Sequence, residues 1–286
     1  MGIDFEEWFH PELIQKHHKP KSPELYISKG IDKILEWLRK NETFATFFVV
    51  GEILESKPEL LDKILDNDHE IAFHTMHHTR LDDSISKESF SNELKQFSKL
   101  TNKKSKGFRA PSFSLAPSSS WVIDTLIENG YVYDSSVVPV KTRLYGIKNA
   151  PTSPYLISSK SINQHDPFGK IIEFPLLATK LLGKHIPAGG GFYLRALPLS
   201  IIRSAIISSN KLETPATFYI HSWELVPELM PKVNLPIVDN FITYYNLKKS
   251  PQKMTKIIKE FEFTSFERFL SSNLNKFNKS KEFNSS

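Results

Sequence analysis

Short apolar runs alternate with amphipathic segments through the first half of the chain. Ile31, Ile34, Leu35 and Leu38 recur at helical spacing, and a β-rich run at residues 45–50 follows them. The predicted helices span residues 31–40, 52–67, 86–100 and 121–129, and the predicted strands span 45–50, 71–73, 106–109, 131–133, 171–174 and 217–220. This alternation favours an α/β fold in which helices wrap a parallel sheet.

Two stretches do not fit the alternation. Residues 141–170 are rich in Pro, Ser and Asn, and we interpret them as a long irregular insertion. Residues 273–286 are rich in Asn, Ser and Lys, which is typical of a frayed tail. We find no internal repeat, so the sequence predicts one domain over residues 1–272.

The composition excludes several classes of protein. The chain has 286 residues, of which 40% are hydrophobic and 24% charged, as is usual for a globular protein. Its 37 basic and 32 acidic residues give a net charge of +5, without the basic, aromatic-rich patch of a nucleic-acid-binding protein. We see neither a secretory leader nor an apolar run of about 18 residues, so a cytoplasmic protein without a transmembrane segment is expected.

The chain contains no cysteine, and this restricts the metal chemistry that is open to it. Disulfides and thiolate sites are impossible, so any transition metal must be held by imidazoles and carboxylates. His74 and His78 lie four residues apart just after a predicted strand, which can place both rings on one side to share a metal. Taken alone, the pair is equally compatible with two surface histidines in a turn.

An acidic segment lies at the end of the expected first strand. If strand alternation persists, Asp4 and Glu6 share a face. A hydrolytic metal site commonly combines two histidines and a carboxylate with an open position for water, and it needs a base for that water. One acid can therefore bind the metal while the other acts as the base. The alternative is an exposed acidic N-terminal segment.

Two further polar residues follow predicted strands. Arg109, just before Pro111, can pair with a catalytic carboxylate and fix its orientation, or it can be a surface arginine. His221 leaves the apolar run 217–220 and can be a general acid, or a histidine whose hydrogen bonds are satisfied in the core.

Together these segments resemble the polysaccharide deacetylases of carbohydrate esterase family 4, which share the NodB-homology fold. The resemblance is greatest to a subgroup associated with exopolysaccharide and surface-glycan gene clusters. It rests on the order of the motifs over about residues 3–270, and the matching segments are Asp4–Phe9, His74–His78, Arg109–Phe113, Gly189–Arg195, His221–Glu224, Tyr244–Leu247 and Phe263–Phe266. It implies a single NodB-like domain folded as a distorted (β/α) barrel.

Three features depart from the family pattern. Asp4-Phe5-Glu6-Glu7 stands where the commoner motif has two adjacent aspartates, which leaves the carboxylate ligand open. Ser222 replaces the proline that is usual in the late motif. The expected first strand has only three residues ahead of Asp4, so either it is very short or the given sequence starts late.

The resemblance implies a role for each polar residue. Asp4 is expected to be the general base, Arg109 the residue that orients it and His221 the general acid, with Glu6, His74 and His78 as metal ligands and Glu7 as the alternative carboxylate. The expected substrate contacts are Trp8, Pro111, Ser112, Phe113, Tyr193 and Trp223. Zinc suits this donor set, and cobalt or nickel could substitute for it.

The implied reaction is the hydrolytic removal of N-acetyl groups from amino sugars in a polysaccharide or a glycan precursor. Two alternatives remain open. One is a non-catalytic glycan-binding relative that keeps the fold, and the other is an amidase or deformylase acting on a small C–N substrate. The sequence indicates neither the sugar nor the number of subunits.

Overall fold

The apolar runs of the sequence form the strands of one curled sheet. The structure, a computed structural model, describes residues 1–20, 24–82 and 85–273. Its strands are β1 (Gly2–Phe5), β2 (Thr46–Val49), β3 (Glu70–Phe73), β4 (Gly107–Phe108), β5 (Tyr133–Asp134), β6 (Tyr155–Ile157), β7 (Ile171–Glu173), β8 (Ala178–Leu181), β9 (Lys184–Pro187) and β10 (Tyr219–His221). Its helices are α1 (Glu12–Gln15), α2 (Ile27–Lys40), α3 (Gly51–Ser56), α4 (Glu59–Leu65), α5 (Lys87–Leu100), α6 (Trp121–Glu128), α7 (Gly191–Ala196), α8 (Leu199–Lys211), α9 (Ser222–Leu225), α10 (Ile237–Tyr244) and α11 (Ser250–Ile258).

Eight strands make the main sheet, in the order β10-β1-β2-β3-β4-β5-β7-β6. All neighbours are parallel except β6 and β7. The sheet curls into a half-barrel with helices around it, so the predicted distorted (β/α) barrel is confirmed. The remaining two strands, β8 and β9, form a separate antiparallel hairpin.

The register of the sheet brings distant parts of the chain together. Asp4 in β1 pairs with Phe48 on one side and with His221 of β10 on the other. The strand that comes last in the described chain, β10, therefore lies beside the first strand, β1, in the same sheet. The single domain over residues 1–272 remains a prediction, and of the expected tail 273–286 only Asn273 lies within the described residues.

The amphipathic segments pack on the sheet as predicted for α2 and α5. Ile31, Ile34 and Leu38 of α2 are fully buried, as is Phe90 of α5. The predicted helix 52–67 is divided into α3 and α4, because Lys57 precedes a proline and adopts a non-helical backbone. None of the helices in the described part of the chain is long and apolar enough to cross a lipid bilayer.

The second half holds more regular structure than predicted. The expected insertion 141–170 contains β6, and the predicted strand 131–133 is displaced to Tyr133–Asp134. The β8–β9 hairpin and helices α7, α8, α10 and α11 were not predicted. Helices α8 and α11 carry Ser and Lys among their apolar residues, and the apolar residues of α10 lie largely exposed at the surface.

Candidate active site and metal centre

The polar residues singled out in the sequence meet at the carboxyl ends of the parallel strands. Five of them line one cavity of about 110 Å³: Asp4, Glu6, His74, His78 and His221. Parallel α/β folds place their chemistry at this edge, because loops from several strands converge there. The cavity is therefore the candidate active site.

Three side chains in the cavity form a compact group of ligand atoms. One carboxylate oxygen of Glu6 and one ring nitrogen each of His74 and His78 lie within 4.8 Å of one another, and all three residues are buried. His78 Nε2 lies 2.7 Å from Glu6 Oε2. A carboxylate and two imidazoles at this spacing form a donor set that suits zinc in a hydrolytic site.

His74 is held in the form that can bind a metal. Its Nδ1 lies 2.7 Å from the backbone carbonyl of Arg109, and because a carbonyl only accepts, Nδ1 carries the hydrogen. The lone pair of the ring is then on Nε2. Burial lowers the pKa of His74 to about 4, so the ring is neutral near pH 7. The two histidines fit the requirements of metal ligands.

Glu6 and Glu7, the two candidate carboxylates, point to different places. Glu6 accepts a hydrogen bond from Trp223 Nε1 at 2.9 Å. Burial would raise the pKa of Glu6, but the imidazoles around it, chiefly that of His78, lower the pKa instead. Glu7 accepts the backbone N–H groups of Tyr26 and Ile27 at the start of α2. Burial raises the pKa of Glu7 to about 7, and Glu7 is not part of the ligand cluster.

The loop that carries the two histidines is strained and tied down. Thr75 has a φ of 60° and His78 a φ of 53°, and this left-handed region is unfavourable for a β-branched residue such as threonine. Thr75 Oγ1 accepts the backbone N–H of Thr79, and its carbonyl accepts that of Gly51. These bonds stabilise a conformation that turns both rings toward the cavity.

Asp4 is fixed by a buried arginine. Arg109 is fully buried, and its Nη1 donates to Asp4 Oδ1 at 2.6 Å. Its other donors are satisfied by Ser135, with Nε on the carbonyl and Nη2 on the hydroxyl. The guanidinium also lies 3.9 Å from the centre of the Phe48 ring. Arg109 therefore cannot turn away without losing several contacts, which fixes the orientation of Asp4.

His221 faces the same cavity from the other side of β1. Its Nδ1 lies 2.7 Å from Glu224 Oε2, and its ring stacks on Trp223 at 4.6 Å between centroids. Burial alone would lower the pKa of His221, but Glu224 outweighs it and raises the pKa to about 9. The ring is therefore protonated near neutral pH in the metal-free protein.

Behind Glu224 lies Arg195, to which the sequence analysis gave no role. Its Nε donates to Glu224 Oε1 at 2.6 Å, and its other nitrogens donate to the carbonyls of Ile242, Thr243 and Tyr245. Arg195 thus joins the His221 pair to the end of α10. Arg195 and Glu224 both lie in segments that match the family motifs. They belong to different helices, α7 and α9, so sequence spacing does not predict their pairing.

Two family models match consecutive parts of this chain. Residues 22–131 match the family described as polysaccharide deacetylase, and residues 135–271 match a domain of unknown function, DUF3473. The chain is therefore similar to the polysaccharide deacetylase family over residues 22–131. The deacetylase match contains His74, His78 and Arg109, whereas His221 lies in the second match and Asp4 precedes both. The cavity thus draws residues from both matches, because β1 and β10 are neighbours.

Solved structures share the fold of this chain at low identity. A polysaccharide deacetylase from Mycobacterium smegmatis is 14% identical, with 86% of this chain and 77% of that chain covered and a TM-score of 0.57. The Puue allantoinase is 13% identical, with coverage of 93% and 86% and a TM-score of 0.53. The 4-alpha-glucanotransferase from Thermococcus litoralis is 14% identical, with coverage of 95% and 39% and a TM-score of 0.54. At these identities the likeness concerns the fold.

A second histidine cluster, not assigned from sequence, lies behind the candidate active site. His10 stacks on His78 with ring centroids 5.8 Å apart, and its Nδ1 accepts the backbone N–H of Glu7. Its Nε2 lies 2.6 Å from Glu52, whose other oxygen is 2.7 Å from His77. His77 therefore points away from the ligand group.

The expected substrate contacts divide into two groups. Ser112, Phe113 and Trp223 line the cavity. Three others do not line it: Trp8, Pro111 and Tyr193. Trp8 packs against Phe9 and Tyr26, Pro111 is buried where its turn begins, and Tyr193 is adjacent to Phe192, the residue of α7 that does line the cavity.

The glycine run beside α7 serves the packing of the sheet. Gly190 has a φ of 128°, and a Cβ there would lie 1.7 Å from the carbonyl oxygen of Tyr219. A Cβ on Gly191 would lie 2.2 Å from the Tyr219 hydroxyl. The close approach that these glycines permit is therefore to Tyr219 of β10.

Proposed function

We propose that this chain is a metal-dependent hydrolase that removes N-acetyl groups from amino sugars of a polysaccharide or a glycan precursor. The observation that carries the proposal is the arrangement around the cavity. A carboxylate and two histidines converge between an arginine-bound aspartate and a histidine paired with glutamate. The match of residues 22–131 to the polysaccharide deacetylase family supports deacetylation as the reaction.

Glu6, His74 and His78 would hold a divalent metal, and zinc fits their chemistry best. When bound, the metal supplies a Lewis acid that polarises the acetyl carbonyl and lowers the pKa of a water molecule. Trp223 orients Glu6 through the hydrogen bond to its Oε1, and the carbonyl of Arg109 orients His74. Such outer contacts hold ligands at the geometry that a metal requires.

Asp4 is the proposed general base. It lines the cavity together with Glu6 and His74, within the same wall as the proposed ligands. Arg109 binds Asp4 Oδ1, so the carboxylate is held in place while it accepts the proton of the attacking water. Because Arg109 is itself bound by Ser135, the base is oriented by a chain of buried contacts.

His221 is the proposed general acid. Its pairing with Glu224 raises its pKa to about 9 in the metal-free protein, so the site favours the protonated form of this imidazole. A charged imidazolium can donate its proton to the departing amine, which is a poor leaving group without one. Its Nε2 lies 3.8 Å from Glu6 Oε1, so its free nitrogen is directed toward the proposed metal ligands.

Apolar and aromatic walls surround these groups. Phe113, Tyr219 and Trp223 line the cavity, and Ser112 adds a polar edge. Aromatic rings can pack against the apolar faces of a sugar or against an acetyl methyl group. We expect Ser112, Phe113 and Trp223 to contact the substrate.

The decisive experiment measures acetate released from a panel of N-acetylated glycans by the metal-loaded protein. His74→Ala and Asp4→Asn should each abolish most of the release, whereas His77→Asn, a change at a half-exposed neighbour, should retain it. If His74→Ala and Asp4→Asn keep full activity, the assignment is wrong. Formate or a ring-opened product would indicate an amidase or deformylase, and glycan binding without acetate would indicate a non-catalytic relative.

A further inference from the structure

Helix α10 carries an unusual apolar surface beside the cavity. Of the nine large hydrophobic side chains exposed within the described residues, four belong to α10 or to its C-terminal boundary. These four are Ile237, Val238, Phe241 and Tyr245. Ile237 is 89% exposed. The inner side of the same helix, at Ile242 and Thr243, lines the cavity. An exposed apolar group of this kind normally marks a binding surface.

Two other segments adjoin α10. The loop 139–150 reaches it through Arg143, whose Nη2 lies 3.6 Å from Asp239 of α10. The same loop contributes Lys141 and Lys148 to a surface cavity that it shares with Lys184 of the β8–β9 hairpin. The three segments therefore form one continuous surface, which we call the basic–apolar surface.

The tip of the hairpin adds a further apolar group. Leu182 is 95% exposed and has a φ of 49°, and the following Gly183 has a φ of 78°. A two-residue turn with positive φ at both positions normally takes Asn-Gly or Asp-Gly, because leucine is strained there. A solvent-exposed leucine in an unfavourable backbone conformation does not stabilise the fold, which indicates that Leu182 contacts a partner.

Much of the excess positive charge of the chain lies on this surface. The loop 139–150, the hairpin 178–187 and α10 carry five Lys and Arg residues and one acidic residue, Asp239, which is buried. All five basic residues are exposed. They account for most of the excess of positive charge, because 32 basic and 31 acidic residues are left for the rest of the chain.

We propose that the basic–apolar surface binds an anionic lipid bilayer. The apolar side chains of α10 and of the hairpin tip would enter the interface between headgroups and acyl chains, and the surrounding lysines would meet lipid phosphates. Because α10 is also a wall of the cavity, the cavity would then open close to the bilayer. A glycan attached to that bilayer is the substrate such an arrangement would present.

Two other occupants fit the observations less well. Ile237, Val238 and Leu182 are aliphatic, so they cannot provide the flat aromatic faces on which sugars stack. The two aromatic residues, Phe241 and Tyr245, pack against each other with ring centroids 4.7 Å apart, which covers part of their faces. A second copy of the chain would place basic residues opposite basic residues, which is unfavourable at an interface. An anionic lipid surface satisfies both the apolar and the basic components.

The test is flotation of the metal-loaded protein with phosphatidylglycerol vesicles and, separately, with phosphatidylcholine vesicles. We expect binding to phosphatidylglycerol alone and its loss in high salt, because screening removes the attraction of the lysines. The double variant Ile237→Ser and Phe241→Ser should lower the partition coefficient by at least about tenfold. The matched control, Leu212→Ser and Phe168→Ser, alters exposed apolar residues elsewhere and should bind as the wild type does.

A second pair of variants tests the charges without touching the apolar residues. Lys141→Ser with Lys184→Ser should weaken binding by about 25-fold, that is, about fivefold for each lysine. The control is Lys103→Ser with Lys104→Ser, which changes two exposed lysines outside the basic–apolar surface. Absence of binding to phosphatidylglycerol, or equal losses in test and control variants, would overturn the proposal.

Sedimentation of the free protein completes the test. If the wild type sediments as a dimer and the double variant Ile237→Ser and Phe241→Ser as a monomer, the surface binds a second copy and the proposal is overturned. We expect the double variant to sediment as the wild type does. The vesicle readout uses no deacetylase assay. Its result therefore stands independently of the proposed function.

Discussion

Two buried glutamates should respond in opposite directions to the same substitution. Glu70, at the start of β3, accepts hydrogen bonds only from neutral groups: the Thr46 hydroxyl, the Tyr133 hydroxyl at 2.6 Å and the backbone N–H of Glu267 at 2.9 Å. Burial raises the pKa of Glu70 to about 6. The folded protein therefore favours the protonated form of this side chain.

Glu224 is equally buried but has charged partners. Burial would raise its pKa, but Arg195 and His221 outweigh burial and lower the pKa to about 2. A glutamine here cannot replace the carboxylate, because its amide N–H group would face Arg195 or protonated His221, and neither can accept a hydrogen bond. At Glu70 the amide of a glutamine can donate to the Tyr133 hydroxyl, which can also accept. The substitution would leave the buried guanidinium of Arg195 without its counter-ion.

The pKa shifts set the size and the sign of both effects. For Glu70, the rise in pKa from 4.5 to about 6 corresponds to about 2 kcal/mol of unfolding free energy. This stability is present below pH 4.5 and is lost as the pH rises through 6. For Glu224, the fall in pKa from 4.5 to about 2 corresponds to about 3 kcal/mol of unfolding free energy. This stability is present above pH 4.5 and is lost as the pH falls toward 2. At pH 7 we expect Glu70→Gln to stabilise the protein by up to about 2 kcal/mol, and Glu224→Gln to destabilise it by about 3 kcal/mol.

Urea unfolding followed by circular dichroism measures both changes. The gain from Glu70→Gln should be present at pH 7 and should nearly vanish at about pH 4, where the wild-type side chain is protonated in both states. If both variants shift the unfolding free energy in the same direction at pH 7, the electrostatic reasoning is refuted. A gain for Glu70→Gln that does not change with pH would refute it as well.

Two further predictions concern packing and the cavity. Gly190→Ala should cost more than about 4 kcal/mol in thermal unfolding, because the new Cβ meets a backbone oxygen, whereas Gly183→Ala, with positive φ but open space, should cost about 1 kcal/mol. Equal losses at the two glycines would contradict this. Trp223→Phe keeps a ring against His221 but removes the hydrogen bond to Glu6, so zinc affinity in a competition titration should fall by about tenfold, and unchanged affinity would count against an orienting role for the indole.

The first half of the fold followed from the sequence because its signals are local. Helix α2 has buried residues at regular helical spacing, and β2 and β3 are short uninterrupted apolar runs. The candidate site followed from the same strands, since Asp4, His74 and Arg109 each come at the end of one. Parallel strands bring such positions to one edge, so their convergence needed no tertiary information.

Other features depend on tertiary contacts that spacing does not record. β1 ends at Phe5, so strand alternation alone could not decide between Glu6 and Glu7; Glu7 turns instead to the backbone at the start of α2. Arg195 and Glu224 are separated by 29 residues and belong to different helices. The β8–β9 hairpin is largely exposed, and α10 turns Ile237, Val238 and Phe241 to the surface, so the apolar residues of these elements do not mark a side packed on the core.

The central claim is that Glu6, His74 and His78 bind a divalent metal, and a zinc titration of a matched pair of variants tests it most directly. Glu6→Gln and Glu7→Gln make the same change at adjacent buried residues, but only Glu6 belongs to the ligand group. We predict one tightly bound zinc for the wild type and for Glu7→Gln, and at least about 100-fold weaker binding for Glu6→Gln. Zinc binding by Glu6→Gln that equals the wild type, or an equal loss in both variants, would contradict the claim.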